Sequence, residues 1–324
     1  MKTMTFGQHT ILEPQGTQTG GSIKTPKPKP LKIGLYNIMP NKRTTGDDIT
    51  AIFSQFHPNV EFVYISATGQ DHKSDEEKYA LAGDAYEKEA GYISWKKAKH
   101  LQLDRMIITG ADLARKTLKQ VDFCDELTEI FNITAEQNTP KLMTCWASDA
   151  HGEHNYGVEK IWQQRKSIDV KPHDIEAPEH YSVQGLKSLF APIARNTEVL
   201  ASAIDSARGA FNIATMTAPD GQRVAGLIGH KGSHDLSTRF HLEYGSDQNL
   251  WKEYQRDTLR HARNPRMYPT SPLPVTNIDP NNFGMRWGLE REAILGRWTA
   301  GEAADFSQHA APQNAERFDI EAPA

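Results

Sequence analysis

The sequence predicts an α/β fold built on a doubly wound, mostly parallel sheet, and three observations support this. Four short apolar runs rich in β-branched and aromatic residues, LKIGLYNI (31–38), VEFVYIS (60–66), RMIIT (105–109) and KLMTC (141–145), read as buried strands. Helical stretches at about 47–55, 94–100 and 121–137 fall between them. Strands alternating with helices suit a parallel sheet, whose neighbouring strands need a crossover connection. At 324 residues, 38% hydrophobic and 24% charged, the chain can bury one large core, and one domain is the default expectation.

In chain order, residues 1–30 read as a polar arm, because from Pro26 to Pro30 every second residue is proline, which excludes helix and central strand. Residues 31–300 form the expected folded domain. Beyond the fourth strand, residues 160–196 read as a connecting stretch, followed by candidate strands at 210–218, 223–229 and 237–243. A helix is expected over 248–263, then a proline-rich segment over 265–280 leading to Trp287 and Trp298. From Gly301 the chain is rich in Ala, Glu and Gln, and 301–324 reads as a loose tail.

A net charge of −4 gives no nucleic-acid footprint, so a small-molecule ligand is expected. No run approaches the roughly 20 apolar residues a bilayer requires, and no apolar secretory stretch opens the chain. The expectation is a cytoplasmic protein that binds neither membrane nor nucleic acid. The only two cysteines, Cys124 and Cys145, argue against a disulfide framework.

Cys145 ends a predicted strand, and WASDA (146–150) opens a helical stretch. A thiol at such a turn stands at the carboxyl edge of the sheet, where the helix N-terminus favours thiolate and backbone N–H groups can hold an oxyanion. A buried core thiol remains the competing reading, and it is the stronger one for Cys124, which has helical spacing to Leu127 and Phe131. A cysteine nucleophile needs a base and an orienting group. In FHLEY (240–244), His241 and Glu243 are two apart and would project to one side of a strand, although a plain polar strand face would look the same. His151 with His154, or His230 with His234, lack the partners of a metal site, and no metal is expected.

The segments LKIGLYNIMPNK, RMIITGADLA, VDFCDELTEIF, LMTCWASDAHGEHNYGVEK and FHLEYGSDQNLWKEYQRD, in that order, resemble the homoserine O-acyltransferases over roughly residues 31–300. The resemblance implies a flavodoxin-like sheet of the class I glutamine amidotransferase type and a Cys145–His241–Glu243 triad. It implies an oxyanion hole from the backbone N–H groups of Trp146 and Leu113, with Lys166 and Arg256 in the substrate site, Arg256 gripping the acceptor carboxylate. The activity implied is ping-pong transfer of an acyl group from coenzyme A to the homoserine hydroxyl. Succinyl-CoA or acetyl-CoA would be the co-substrate, with no bound cofactor, in a homodimer serving methionine biosynthesis. Position 114 is where the resemblance separates acyl donors, and the small Ala114 leans toward succinyl, with acetyl the alternative.

The chain departs from the family pattern in several places. Asp112 follows T-G-A, Phe240 and Leu242 flank His241, Ala194 replaces a serine, and Arg286-Trp287-Gly288-Leu289 replaces a late W-R-S-H. These changes leave serine or another hydroxy amino acid as an alternative acceptor. Two further readings are a glutamine-hydrolysing amidotransferase, disfavoured because no glycine flanks Cys145 in the G-x-C-x-G manner, and a non-catalytic acyl-CoA or amino-acid sensor.

Overall fold

The computed structural model describes residues 29–39, 42–57, 59–67, 91–113, 115–266, 268, 270–280 and 284–301. Most of the expected arm (1–28) and tail (302–324), together with Ala114, lie outside the described residues.

One ten-stranded sheet organises the chain. Its first half is parallel: β1 (Leu31–Asn37) lies between β2 (Val60–Ser66) and β4 (Arg105–Ile108), and the two-residue β3 (Ile93–Ser94) edges β2. β5 (Lys141–Thr144) follows β4, and β10 (Leu236–Thr238) pairs with β5 in register, Thr144 opposite Thr238.

Strand side chains alternate between two cores, which is why both faces must be covered. On one face Ile33, Leu35, Ile107 and Leu142 pack with Ile49, Ile52 and Phe53 of α1 (Lys42–Phe53) and with Trp287 and Trp298. On the other face Tyr36, Met106, Ile108 and Met143 pack with Trp95 of α2 (Trp95–Ala98) and with Leu127, Ile130 and Phe131 of α3 (Cys124–Glu136). Trp146, Ala147 and Ala150 of α4 (Trp146–Tyr156) join this second core.

The second half of the sheet corrects the sequence reading. Residues 160–196 are not a connection: they contain β6 (Ile161–Ile175) and β7 (Leu189–Glu198), paired antiparallel with a register shift between Trp162 and Ser167. β6 also pairs with β8 (Ala210–Thr217), and β8 pairs with β9 (Arg223–His230), all antiparallel. α5 (Ala201–Ser206) lies between β7 and β8 in the chain. β10 is antiparallel to β9 and parallel to β5, so it joins the two halves. Across the whole sheet the order is β3-β2-β1-β4-β5-β10-β9-β8-β6-β7.

The third candidate strand stops at Thr238, and His241 and Glu243 sit in the turn that follows. α6 (Asp247–Arg263) begins after Ser246 and carries Arg260, His261 and Arg263 in its last turn, where cations complement the helix dipole. Short helices α7 (Gly288–Arg291) and α8 (Arg297–Ala300) flank a π-helical turn, Glu292–Gly296. No helix among the described residues is long and apolar enough to cross a membrane.

Candidate active site

Cys145 stands between the end of β5 and the start of α4 with φ 52° and ψ −117°, a positive φ that L side chains rarely adopt. The surroundings hold that conformation in place. Its N–H donates to Thr238 O at 2.8 Å, and its carbonyl accepts the N–H groups of Ser148 (3.0 Å) and Asp149 (3.3 Å). Cys145 is therefore the N-cap of α4, and Trp146 N–H is one of the donors that the helix leaves without an intrahelical acceptor.

The T-G-A segment crosses directly over this turn. Gly110 N–H donates to Thr144 Oγ1 at 2.9 Å. A Cβ at Gly110 would lie 2.8 Å from Cys145 Cβ, so only glycine lets the two backbones approach this closely.

Because β5 and β10 are parallel neighbours, the chain leaving β10 emerges beside Cys145 at the same sheet edge. His241 N–H donates to Pro192 O of β7 at 2.8 Å, fixing the turn, and Nδ1 donates to Glu243 Oε1 at 2.7 Å. The 2.7 Å contact is made across a turn, whereas the sequence reading placed both residues on one strand face. Nδ1 being occupied, Nε2 is left for Cys145: it is buried, forms no hydrogen bond of regular geometry, and is coupled electrostatically to the thiol. The ring is 8% exposed and stacks on Tyr244, centroids 4.8 Å apart and planes 11° from parallel.

The electrostatics favour an ion pair. Burial pushes the Cys145 thiol up, but the His241 charge and hydrogen bond, with the guanidinium groups of Arg239 and Arg195, outweigh it and hold the thiol below its ordinary value. Burial pulls His241 down, but Glu243 first and Cys145 next hold the imidazole well above its ordinary range. A thiol, an imidazole and a carboxylate in sequence is the arrangement that a nucleophile, its base and an orienting group require.

The loop after Ala111 differs from expectation in one respect. Leu113 N–H is donated to Ala111 O at 2.8 Å and is engaged within its own loop, whereas Trp146 N–H has no intrahelical acceptor. The loop is anchored to α4: Lys116 O accepts Trp146 Nε1–H (3.0 Å) and Lys160 Nζ (2.7 Å), and Leu118 N–H donates to Glu153 Oε2 (2.9 Å). Burial brings the Lys160 ammonium down to about 8 against the attraction of Cys145 and Glu153.

Lys166 and Arg256 come together near the triad, but on carboxylates of the protein. Lys166 Nζ donates to Glu253 Oε1 (2.6 Å) and Asp257 Oδ2 (2.8 Å); Arg256 contacts the same two residues at 3.1 and 2.9 Å. Glu253 also accepts Tyr244 O–H at 2.6 Å, which links this network to the ring stacked on His241. The sequence reading held Glu253, Asp257 and Tyr244 only within the segments that carry the resemblance and gave none of them a role. The i, i+3, i+4 spacing of Glu253, Arg256 and Asp257 on a helix was the available signal.

His230 has both ring nitrogens engaged, with Tyr156 Oη and Ser237 Oγ, each at 2.9 Å. Among the described residues no group of His, Cys, Asp or Glu is arranged to hold a metal ion.

Comparisons with known proteins agree with this architecture. A solved glutamine amidotransferase from Thermotoga maritima superposes with a TM-score of 0.51 at 11% identity, covering 83% of this chain and 98% of its own, a likeness of fold alone. The sheet is thus that of the class I glutamine amidotransferase-like proteins. In sequence the chain is 29% identical over 273 residues to a homoserine O-acetyltransferase of Rhizobium rhizogenes, with 83% of each chain covered. It is 30% identical over 273 residues to a homoserine O-acetyltransferase of Sinorhizobium fredii, again with 83% of each covered. The family model described as "HTS: Homoserine O-succinyltransferase" matches residues 20–303, and the chain belongs to this family of acyltransferase enzymes.

Proposed function

We propose that this enzyme transfers a succinyl group from succinyl-CoA to the hydroxyl of homoserine through a thioester on Cys145. The observation that carries the reading is the Cys145–His241–Glu243 arrangement at the carboxyl edge of β5 and β10. The Cys145 thiolate attacks the acyl-CoA carbonyl carbon, and the tetrahedral oxyanion is held by Trp146 N–H. The intermediate collapses with loss of the coenzyme A thiolate, which takes a proton from the His241 imidazolium. Neutral His241 then removes the proton of the acceptor hydroxyl as that oxygen attacks the Cys145 thioester. Cys145 leaves as thiolate, the ester product departs, and the proton remains on His241 as at the start.

The donor is the open choice within this reading. The small Ala114 and the description of the family model favour succinyl, whereas the curated relatives are named for acetyl transfer. Intact mass after mixing the protein with succinyl-CoA or acetyl-CoA, with Cys145→Ala as control, tests both steps. One acyl adduct, absent from the control and discharged by homoserine, is the expected result. Serine discharging it in place of homoserine would change the acceptor. No adduct with either donor would overturn the acyl-enzyme reading.

A further inference from the structure

Beneath the triad lies a buried set of charges that the acyl-transfer steps do not use. Arg239 is 1% exposed and ion-pairs with Asp149, 7% exposed, which lies on α4 four residues after Cys145. Arg239 is also two residues before His241, so this one ion pair spans the segment carrying the nucleophile and the segment carrying the base.

Both partners are held from a third element, β7. Arg239 Nη2 donates to Thr197 O at 2.8 Å, and Thr197 Oγ1 donates to Asp149 Oδ2 at 3.3 Å. Arg195 of β7 donates to the backbone carbonyl of Arg239, and its own charge is met by Glu198 at 2.9 Å. Arg195 is 4% and Glu198 1% exposed.

Resting on the proposed role of Cys145, we infer that the Arg239–Asp149 pair is a positioning device for charge: Asp149 and Thr197 hold the Arg239 guanidinium where it borders the Cys145 and His241 segments, so that the cation favours the thiolate and the carboxylate offsets it. Two features argue against the pair being only a stabilising contact. A buried ion pair is weak evidence for stability, because desolvation offsets much of its attraction. In addition, Arg239 couples to Cys145 in both directions. The thiolate supports the guanidinium, which burial lowers to about 10, and the guanidinium in turn favours the thiolate. The titratable and charged groups coupled to the thiol are His241, Arg239, Arg195, Lys160 and Tyr244, with Glu243 on His241 and Asp149 against Arg239.

This makes a signed prediction. Removing the cation raises the pH at which Cys145 becomes thiolate, and removing the carboxylate while keeping Arg239 lowers it. The experiment is the pH dependence of iodoacetamide alkylation of Cys145 in the full chain, read by peptide mass, for Arg239→Met, Arg239→Lys and Asp149→Asn. The expected result is a midpoint shifted up by about one pH unit in Arg239→Met, a tenfold change in thiolate on the acid side. Arg239→Lys should restore most of it, and Asp149→Asn should shift it down. Unchanged midpoints in folded Arg239→Met and Asp149→Asn, or shifts of the same sign in both, would overturn the inference. If Arg239→Met does not fold, Asp149→Asn with Arg239→Lys as the charge-retaining control still decides, because loss of a purely structural pair predicts no downward shift. Alkylation needs no acyl donor, so failure of the acyl-transfer reading would show separately, as an absent acyl adduct in the unsubstituted protein.

Discussion

Replacing Glu243 by glutamine isolates what the orienting carboxylate does. The amide keeps the shape and can still accept the Nδ1–H, so the loss is the charge assistance of a 2.7 Å contact between side chains 10% and 19% exposed. Hydrogen bonds to charged groups contribute about 1.5–3 kcal/mol and neutral ones about 0.5–1.5, a difference of about 1–1.5 kcal/mol. At 1.36 kcal/mol per tenfold, kcat/KM should fall roughly 5- to 13-fold. The pH profile should move as well. Cys145 and His241 titrate as a coupled pair in two macroscopic steps, and in each step the more protonated form carries one more positive charge. A carboxylate against the ring favours the protonated form in both, so without it both limbs shift to lower pH. The assay is release of coenzyme A thiol against pH, with Cys145 alkylation as a readout independent of acyl transfer. Glu243→Gln within about twofold of the unsubstituted enzyme, with an unmoved profile, would refute the triad reasoning.

Other substitutions test the surrounding scaffold. Gly110→Ala places a methyl 2.8 Å from Cys145 Cβ and 3.2 Å from Thr144 O. It should cost about 1–3 kcal/mol in a thermal melt and slow Cys145 alkylation; unaltered alkylation would mean the crossing does not position the thiol. Burial pushes Glu253 up, but Lys166, Arg256 and Tyr244 O–H hold it at about 2 against an ordinary 4.5. That depression contributes about 3 kcal/mol of stability, fully present above pH 4.5 and lost as pH falls toward 2. Glu253→Gln should therefore flatten the acid limb of urea-melt stability over that range. Trp146→Phe keeps an aromatic ring against Phe123 but deletes the 3.0 Å bond to Lys116 O. It should cost about 0.5–1.5 kcal/mol and speed amide exchange in the loop before Leu118.

The legibility of this fold follows the physics of each half. Parallel strands with both faces covered must be apolar throughout, so β1, β2, β4 and β5 stood out as short hydrophobic runs between helical stretches. β6 obeys no such rule: IWQQRKSIDVKPHDI is half-buried or exposed over its first six residues, buried over 167–170, and carries a bulge and a proline. β7 likewise contains Pro192, whose carbonyl accepts His241 N–H, so a residue type that disfavours a central strand is part of the site's support. The triad residues were legible as types in a familiar order. Their companions were not, because the Lys166 contacts to Glu253 and Asp257 span 87 and 91 residues and depend on how β6 and α6 pack. No local pattern encodes a pairing that distant.

The same packing explains why a thiolate can persist in so enclosed a place. Burial is the largest single influence on Cys145, and it favours the neutral thiol. What reverses it is the order of charges. Glu243 binds Nδ1, on the far side of the imidazole ring from the nitrogen left to Cys145. The thiolate therefore meets the imidazolium before it meets the carboxylate, and Coulomb attraction at about 4 Å, ~4 kcal/mol at an effective dielectric near 20, decays with that distance. Had His241 continued a regular strand from Thr238, it would not have needed the turn that donates to Pro192 O and lets Glu243 reach Nδ1. The end of β10 at Thr238 is thus the event in the fold that brings three ordinary side chains into the order that the proposed base and nucleophile require.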